Sequence, residues 1–275
     1  MNLERLNRAR AIERLAESVL VALGCKVPPI DVAGIARVEG ILLAESDFGS
    51  DFFGRIEYHA GVRRFILYHS TLIPTARNYW QTRFSIAHEL GHYYIPEHRR
   101  LLIAGKLHWS EPGFVCDNVM EREADLFASA LLIPESVVDQ LWSRKALSLQ
   151  SILRGGNICE TSGVSAGIRA ARSSEECVVV ILSKDRDILF VAASDEARAR
   201  HLGWINIRRV PNGSPSEKAH ANSSKNHIFE STGSLRNWYP ESSSKAGCWE
   251  EAMRLGATNF VLTLLVIDDE EDEED

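Results

Sequence analysis

From Leu3 to Leu23 apolar side chains return at helical spacing, with Ile12, Leu15, Ala16, Val19 and Leu23 along one side of an otherwise charged helix. Gly24, Pro28 and Pro29 end it, and Asp31 then stands where an N-cap belongs, ahead of a short helix over DVAGIARVEG. The pattern next turns β-like. GILLAES, FFGRIEYH and RRFILYHS read as strands, the last two joined as a hairpin around His59-Ala60-Gly61. A helix follows over Arg77 to Tyr94, closed by Pro96 because proline cannot continue an interior helical ladder. Glu97 to Asp117, with Pro112 and Gly113, reads as an irregular connection of a length that often signals function.

Asn118 to Ile133 is again helical, with Val119, Ala124, Phe127, Ala128, Leu131 and Leu132 on a broad apolar face and Pro134 as its stop. A short helix reaches about Lys145, and LSLQSILRGGNICETSGVSAGIRAAR reads as helix, turn, helix. Beyond Glu176 come strands over CVVVILSK and DILFVAAS, a helix over Asp195 to Leu202, and INIRRV. A Ser/Asn/Gly-rich loop from Pro211 to about Lys225 precedes WEEAMRLG and the apolar strand NFVLTLLVID. The predicted fold class is α+β. A mainly helical domain with a small antiparallel sheet covers 1–143, a helix-turn-helix-like segment 144–174, an α/β domain 175–267 and an acidic tail 268–275.

A chain of 275 residues, 45% hydrophobic and 25% charged, has room for two cores. Its net charge of −7 resides in the tail: taking away the eight acids of DDEEDEED leaves +1, so the folded part is nearly neutral. Such a run reads as a solubilising end or, alternatively, as a mimic of nucleic-acid phosphate lying in a basic groove. No apolar run approaches the roughly 20 residues that span a bilayer, and the N-terminus is a charged helix rather than a signal peptide, so no membrane partner and a cytoplasmic location are expected. The five cysteines form no C-x-x-C pair, which argues against a disulfide framework and for small buried apolar residues.

The chemistry concentrates in FSIAHELGHYYIPEH. On a helix His88 and His92 project from one face, so both reach one metal ion, with Glu89 beside the first. H-E-x-x-H is the zincin pattern: two imidazoles bind Zn²⁺ and the glutamate takes a proton from the water that the metal acidifies. A third ligand is needed, and MEREADLFASALLIP offers it. Glu121 and Asp125 share one helical face, Glu121 as ligand and Asp125 as hydrogen-bond partner of a ligating histidine; Glu123 points about 160° away and is less suited.

RFSIAHELGHYY followed by EREADLFASALLIP resembles the ImmA/IrrE family of metallopeptidases, over roughly residues 28–172. The resemblance implies a zinc endopeptidase with ligands His88, His92 and Glu121 and base Glu89. It also implies a partner: a helix-turn-helix transcriptional repressor, cleaved to derepress a stress, DNA-damage or anti-phage operon. The arrangement with a C-terminal GAF-like sensor domain is similar to the IrrE branch. For the second donor to the reacting carbonyl oxygen, Tyr93, Tyr94, His98 and His108 are candidates.

Cys116 lies alone among the cysteines within the metal-binding segment, and a thiolate is a strong zinc ligand. It is the candidate inhibitory fourth ligand. Arg144, Lys145, Arg154, Arg169 and Arg172 make the helix-turn-helix-like segment basic, and exposed aromatics such as Trp204, Trp238 or Trp249 would stack bases, so single-stranded DNA is a candidate activator. The competing reading is a non-catalytic DNA-binding transcriptional regulator with a structural zinc site.

Overall fold

The computed structural model describes residues 3–45, 54–76, 78–105, 119–143, 146–222, 227–242, 244–256 and 258–268. Two compact units form, one from residues 1–136 with 158–162, the other from 137–157 with 163–275.

The first unit opens with α1 (Leu3–Leu23), whose buried stripe is Ile12, Ala16, Val19 and Leu20. Asp31 caps α2 (Val32–Val38), its side chain accepting from the Gly34 amide at 2.8 Å. Three strands follow: β1 (Leu42–Glu45), β2 (Gly54–His59) and β3 (Arg64–His69). The hairpin β2–β3 is antiparallel as its short turn requires, but β1 joins the other edge of β3 in parallel. The small sheet is therefore mixed, in order β1-β3-β2, rather than antiparallel throughout. Strands parallel to each other cannot be linked by a hairpin, and β2 is the segment interposed between β1 and β3.

Helix α3 (Tyr79–Tyr94) carries the H-E-x-x-H motif. Pro96 ends it but also starts α4 (Pro96–Ile103), in the N1 position where a missing N–H costs nothing. The stretch after Pro96, read from the sequence as irregular, thus begins with two helical turns. α5 (Val119–Leu132) packs against both α1 and α3. Arg83 of α3 is buried and donates to the carbonyls of Ile30, Cys159 and Glu160, which fastens residues 158–162 to this unit.

In the second unit α6 (Glu135–Leu141), α7 (Leu149–Cys159) and α8 (Gly163–Ser173) precede the strands, although the ends of α6 and α7 belong to the first unit. Five strands, β4 (Val178–Lys184), β5 (Asp187–Ala193), β6 (Ile228–Ser234), β7 (Gly247–Arg254) and β8 (Phe260–Ile267), form one fully antiparallel sheet in order β5-β4-β8-β7-β6. β4 is buried on both faces, as its unbroken apolar run requires. On one face Gly167 of α8 comes so close to Val180 that an added methyl would stand 3.0 Å from its Cγ1. The other face holds Val179, Ile181, Leu265, Trp238 and Tyr239, together with α9 (Asp195–Ala199) and α10 (Pro215–Ala221).

Three local expectations differ. INIRRV forms only a single bridge, Arg209 to Asp187. The loop expected from Pro211 contains α10, because Ser214 caps the Glu217 amide and Pro215 opens the first turn. Trp238 is wholly buried, its indole N–H donating to Glu250 Oε2 at 2.9 Å; Trp249 is partly buried and donates to Glu251 at 3.3 Å, whereas Trp204 is 75% exposed. In the helical pair, Arg169 is buried and Arg154 exposed.

Among the described residues Cys25, Cys159, Cys177 and Cys248 take part in no disulfide, and the last three are buried. Burial pushes the Cys159 and Cys248 thiols up to about 12, which keeps them protonated and inert. No described helix is long and apolar enough to cross a membrane.

Candidate metal centre

The site is made by close approach of α3 and α5. Gly91 of HELGH faces Ala124, where an added methyl would stand 3.1 Å from the Ala124 Cα and 3.2 Å from its carbonyl oxygen. Two small residues at this crossing let the helices meet backbone to backbone. Three residues before and directly after each small residue, His88 and His92 on α3 and Glu121 and Asp125 on α5, the polar residues then converge. His92 Nε2 lies 3.1 Å from His88 Nε2, and the Glu121 carboxylate reaches both, Oε2 to His88 and Oε1 to His92, each at 3.2 Å. Asp125, one turn along α5, accepts from His88 Nδ1 at 2.8 Å.

These spacings suit a cation. Ligands at about 2.0–2.1 Å in tetrahedral array are separated from one another by roughly 3.3–3.4 Å, close to the 3.1 and 3.2 Å found here. His88, His92 and Glu121 offer donor atoms all within 4.8 Å of one another, and all three side chains are buried. The Asp125 contact consumes the His88 Nδ1 proton, which leaves the Nε2 lone pair directed at the common point. Charge points the same way. Glu89 and Glu121 are both buried, and two ionised carboxylates away from water need a positive partner. Without metal, a proton takes that part. Burial pulls the His88 pKa down, but hydrogen bonds to Asp125 and Glu121 and the charges of Asp125 and Glu89 hold it up at about 10. Burial likewise pushes Glu121 up, yet its bonds to His88 and His92 keep its carboxyl well below the usual carboxylate range.

Glu89 follows His88 on α3 and is 2% exposed. The edge strand β2 begins against it: a methyl on Gly54 would stand 3.2 Å from Glu89 Cγ and 3.1 Å from Ser85 Cβ. Any larger residue at position 54 would crowd the glutamate, so the first residue of β2 sets the space beside it.

Several other residues are placed by the fold. The Tyr93 hydroxyl donates to Glu39 Oε2 at 3.0 Å and accepts from Arg99 at 3.3 Å, and the Tyr94 ring stacks on Phe127. His98 Nε2 donates to Glu123 Oε2 at 3.2 Å. Glu123, which helical periodicity sets apart from Glu121 and Asp125, is buried and ion-paired with Arg8. Neither Arg8 nor the Glu123–His98 contact was legible from spacing, because their partners come from three different helices. Cys116 and His108 lie outside the described residues.

The profile of the IrrE N-terminal-like domain matches residues 36–174. The chain belongs to the ImmA/IrrE family of peptidases. The family match spans α3 and α5, and so includes His88, Glu89, His92, Glu121 and Asp125. Among solved structures, the ImmA/IrrE chain resembles a Mycobacterium tuberculosis transcriptional regulator with a TM-score of 0.61 at 16% identity, over 96% of this chain and 77% of that one. That likeness is one of fold. No curated protein matches the chain.

Proposed function

We propose that this ImmA/IrrE family member is a zinc-dependent endopeptidase that cleaves a partner helix-turn-helix repressor and so releases a stress, DNA-damage or anti-phage operon. The observation that carries the reading is the convergence of His88, His92 and Glu121 beside a buried Glu89. Those three residues would hold the ion. When bound, zinc polarises a carbonyl and lowers the pKa of a water molecule. Glu89 is the proton carrier: its carboxylate takes a proton from the attacking water and returns it to the leaving amine. Asp125 holds His88 in the tautomer that faces the centre.

The second unit is read as a GAF-like sensor, its sheet covered on both faces, and single-stranded DNA as an activator. Exposed Trp204 and Arg208, with exposed Asn206 between them and Ile205 and Ile207 turned toward the core, support base stacking next to phosphate contact. Phosphate contacts weaken with salt, so a titration at low and high ionic strength tests that part. Restraint by Cys116 rests on its place in the sequence, and Cys116→Ala is expected to speed cleavage.

The deciding experiment incubates the zinc-loaded protein with the helix-turn-helix repressor encoded beside its gene and maps the fragments. Glu89→Gln should keep zinc and lose at least about 10²-fold in rate. Cleavage undiminished in that variant, or DNA binding by an uncleaving protein with firmly held zinc, would favour the structural-zinc regulator instead.

A further inference from the structure

Behind His92 runs a line of charged contacts that begins on α1. Arg8 Nε donates to Glu123 Oε1 at 2.9 Å and Arg8 Nη2 to Oε2 at 2.8 Å, the two-pronged pairing that fixes a carboxylate in both position and plane. Nη2 also reaches Glu97 Oε2 at 3.1 Å. Glu123 Oε2 accepts in turn from His98 Nε2, and the His98 ring lies 5.0 Å from the His92 ring, inclined at 38°. His98 is 1% exposed, as is His92. Four helices thus meet: α1 gives Arg8, α3 His92, α4 His98 and α5 Glu123.

The same turn of α5 therefore faces two ways. Glu121 turns toward α3 and the histidines, whereas Glu123, two residues on, turns toward α1. We propose that Arg8 is a positioning residue for the metal centre: it fixes Glu123, and through it His98, the wall that holds the His92 imidazole on the common point. The inference rests on the assignment of His88, His92 and Glu121 as metal ligands.

Attachment of α1 is a different task, already served by Ile12, Ala16 and Leu20, all nearly fully buried. The side chain of Arg8 is 40% exposed, and an ion pair that wet adds little to folding by itself. Its geometric value is larger, because a ligand ring displaced by a fraction of an ångström loses its bond to the ion. Lysine would keep the charge and lose the planar fork.

The test uses the full chain, stripped of metal with a chelator. Zinc affinity is then measured by competition with a chromophoric chelator, and the ligand field by the absorption bands of the Co²⁺-loaded protein. Arg8→Ala and Glu123→Gln should each raise the zinc Kd by about tenfold or more, in the range seen when partners of metal ligands are removed, and should change the cobalt bands. Arg8→Lys should fall between these and wild type, and it carries the test if Arg8→Ala does not fold. A role in folding alone would lower the melting temperature of the metal-free protein and leave both readouts as in wild type. A Kd within about twofold of wild type with unaltered cobalt bands therefore overturns the proposal. Failure of the wild-type chain to take up zinc or cobalt overturns the ligand assignment, and this inference with it; normal uptake with unaffected variants overturns the inference alone.

Discussion

His88 Nδ1 stands 2.8 Å from Asp125 Oδ1, and this contact ties the first histidine of α3 to the face of α5 that also carries Glu121. A candidate ligand, Glu121, and the residue hydrogen-bonded to His88 come from one turn of one helix, so the second helix docks as a unit.

Asp125→Asn should keep the fold and raise the zinc Kd by about 10–100-fold. The amide still reaches His88 but no longer favours the Nδ1–H tautomer with a full negative charge. Competition against a chromophoric chelator checks it; an unchanged Kd would mean that the contact is incidental.

Gly91→Ala tests the helix crossing. The new methyl would meet the Ala124 backbone at 3.1 Å, and backbone cannot move aside as a side chain can. Overpacking of this kind costs about 1–3 kcal/mol, and forcing α3 off α5 should also separate His92 from Glu121. A lowered melting temperature accompanied by weaker zinc binding is expected. By contrast, Ala124→Gly should leave the crossing closed.

Trp238→Phe removes one donor from the buried Glu250 carboxylate, which otherwise keeps the Ser216 amide at 2.9 Å and hydroxyl at 2.7 Å. Leaving that oxygen without its donor should cost about 1–3 kcal/mol. Denaturant unfolding of the full chain measures it, and a change well under that range would show that the remaining Ser216 donors suffice.

His220 gives a pH dependence. Half-buried, it is hydrogen-bonded to Ser183 at 2.9 Å. Burial and then the charge of Arg254 hold its pKa below 6.5, with Arg186 adding to them and Asp185 opposing. A folded pKa below the unfolded one means that on acidification the unfolded chain takes up a proton that the folded chain refuses. Stability is therefore fully present above the unfolded value of 6.5 and falls as pH drops below it toward the folded value. Melting temperatures of wild type and His220→Gln across this interval should converge on acidification, the wild type losing more; parallel curves would refute it.

Much of the molecule was legible along the chain. Period-3.6 apolar spacing marked α1 and α5, Pro96 marked the end of α3, Asp31 announced α2, and the hairpin β2–β3 followed from β-like runs about a short turn. The pairing of β1 was not, because a parallel neighbour is chosen by packing across residues distant in sequence. Helix α10 was hidden inside a stretch whose serines and proline looked like loop, although Ser214-Pro215 is itself a helix start. Trp238 looked available for stacking until the sheet beneath it supplied Glu250 as its partner.

For the centre itself, the sequence by itself determined which groups are present and how each helix presents them: residues four apart share a face, so His88 with His92 and Glu121 with Asp125 were paired before any fold was known. Only the tertiary structure decided that the two faces meet, since this depends on Gly91 and Ala124 letting two backbones touch. It decided Glu123 as well, whose direction along α5 made it less suited as a ligand and whose ion-pair partner, Arg8, lies 115 residues away on another helix. Periodicity is local and written in one segment; an ion pair between helices is a property of their packing, and no single segment contains it.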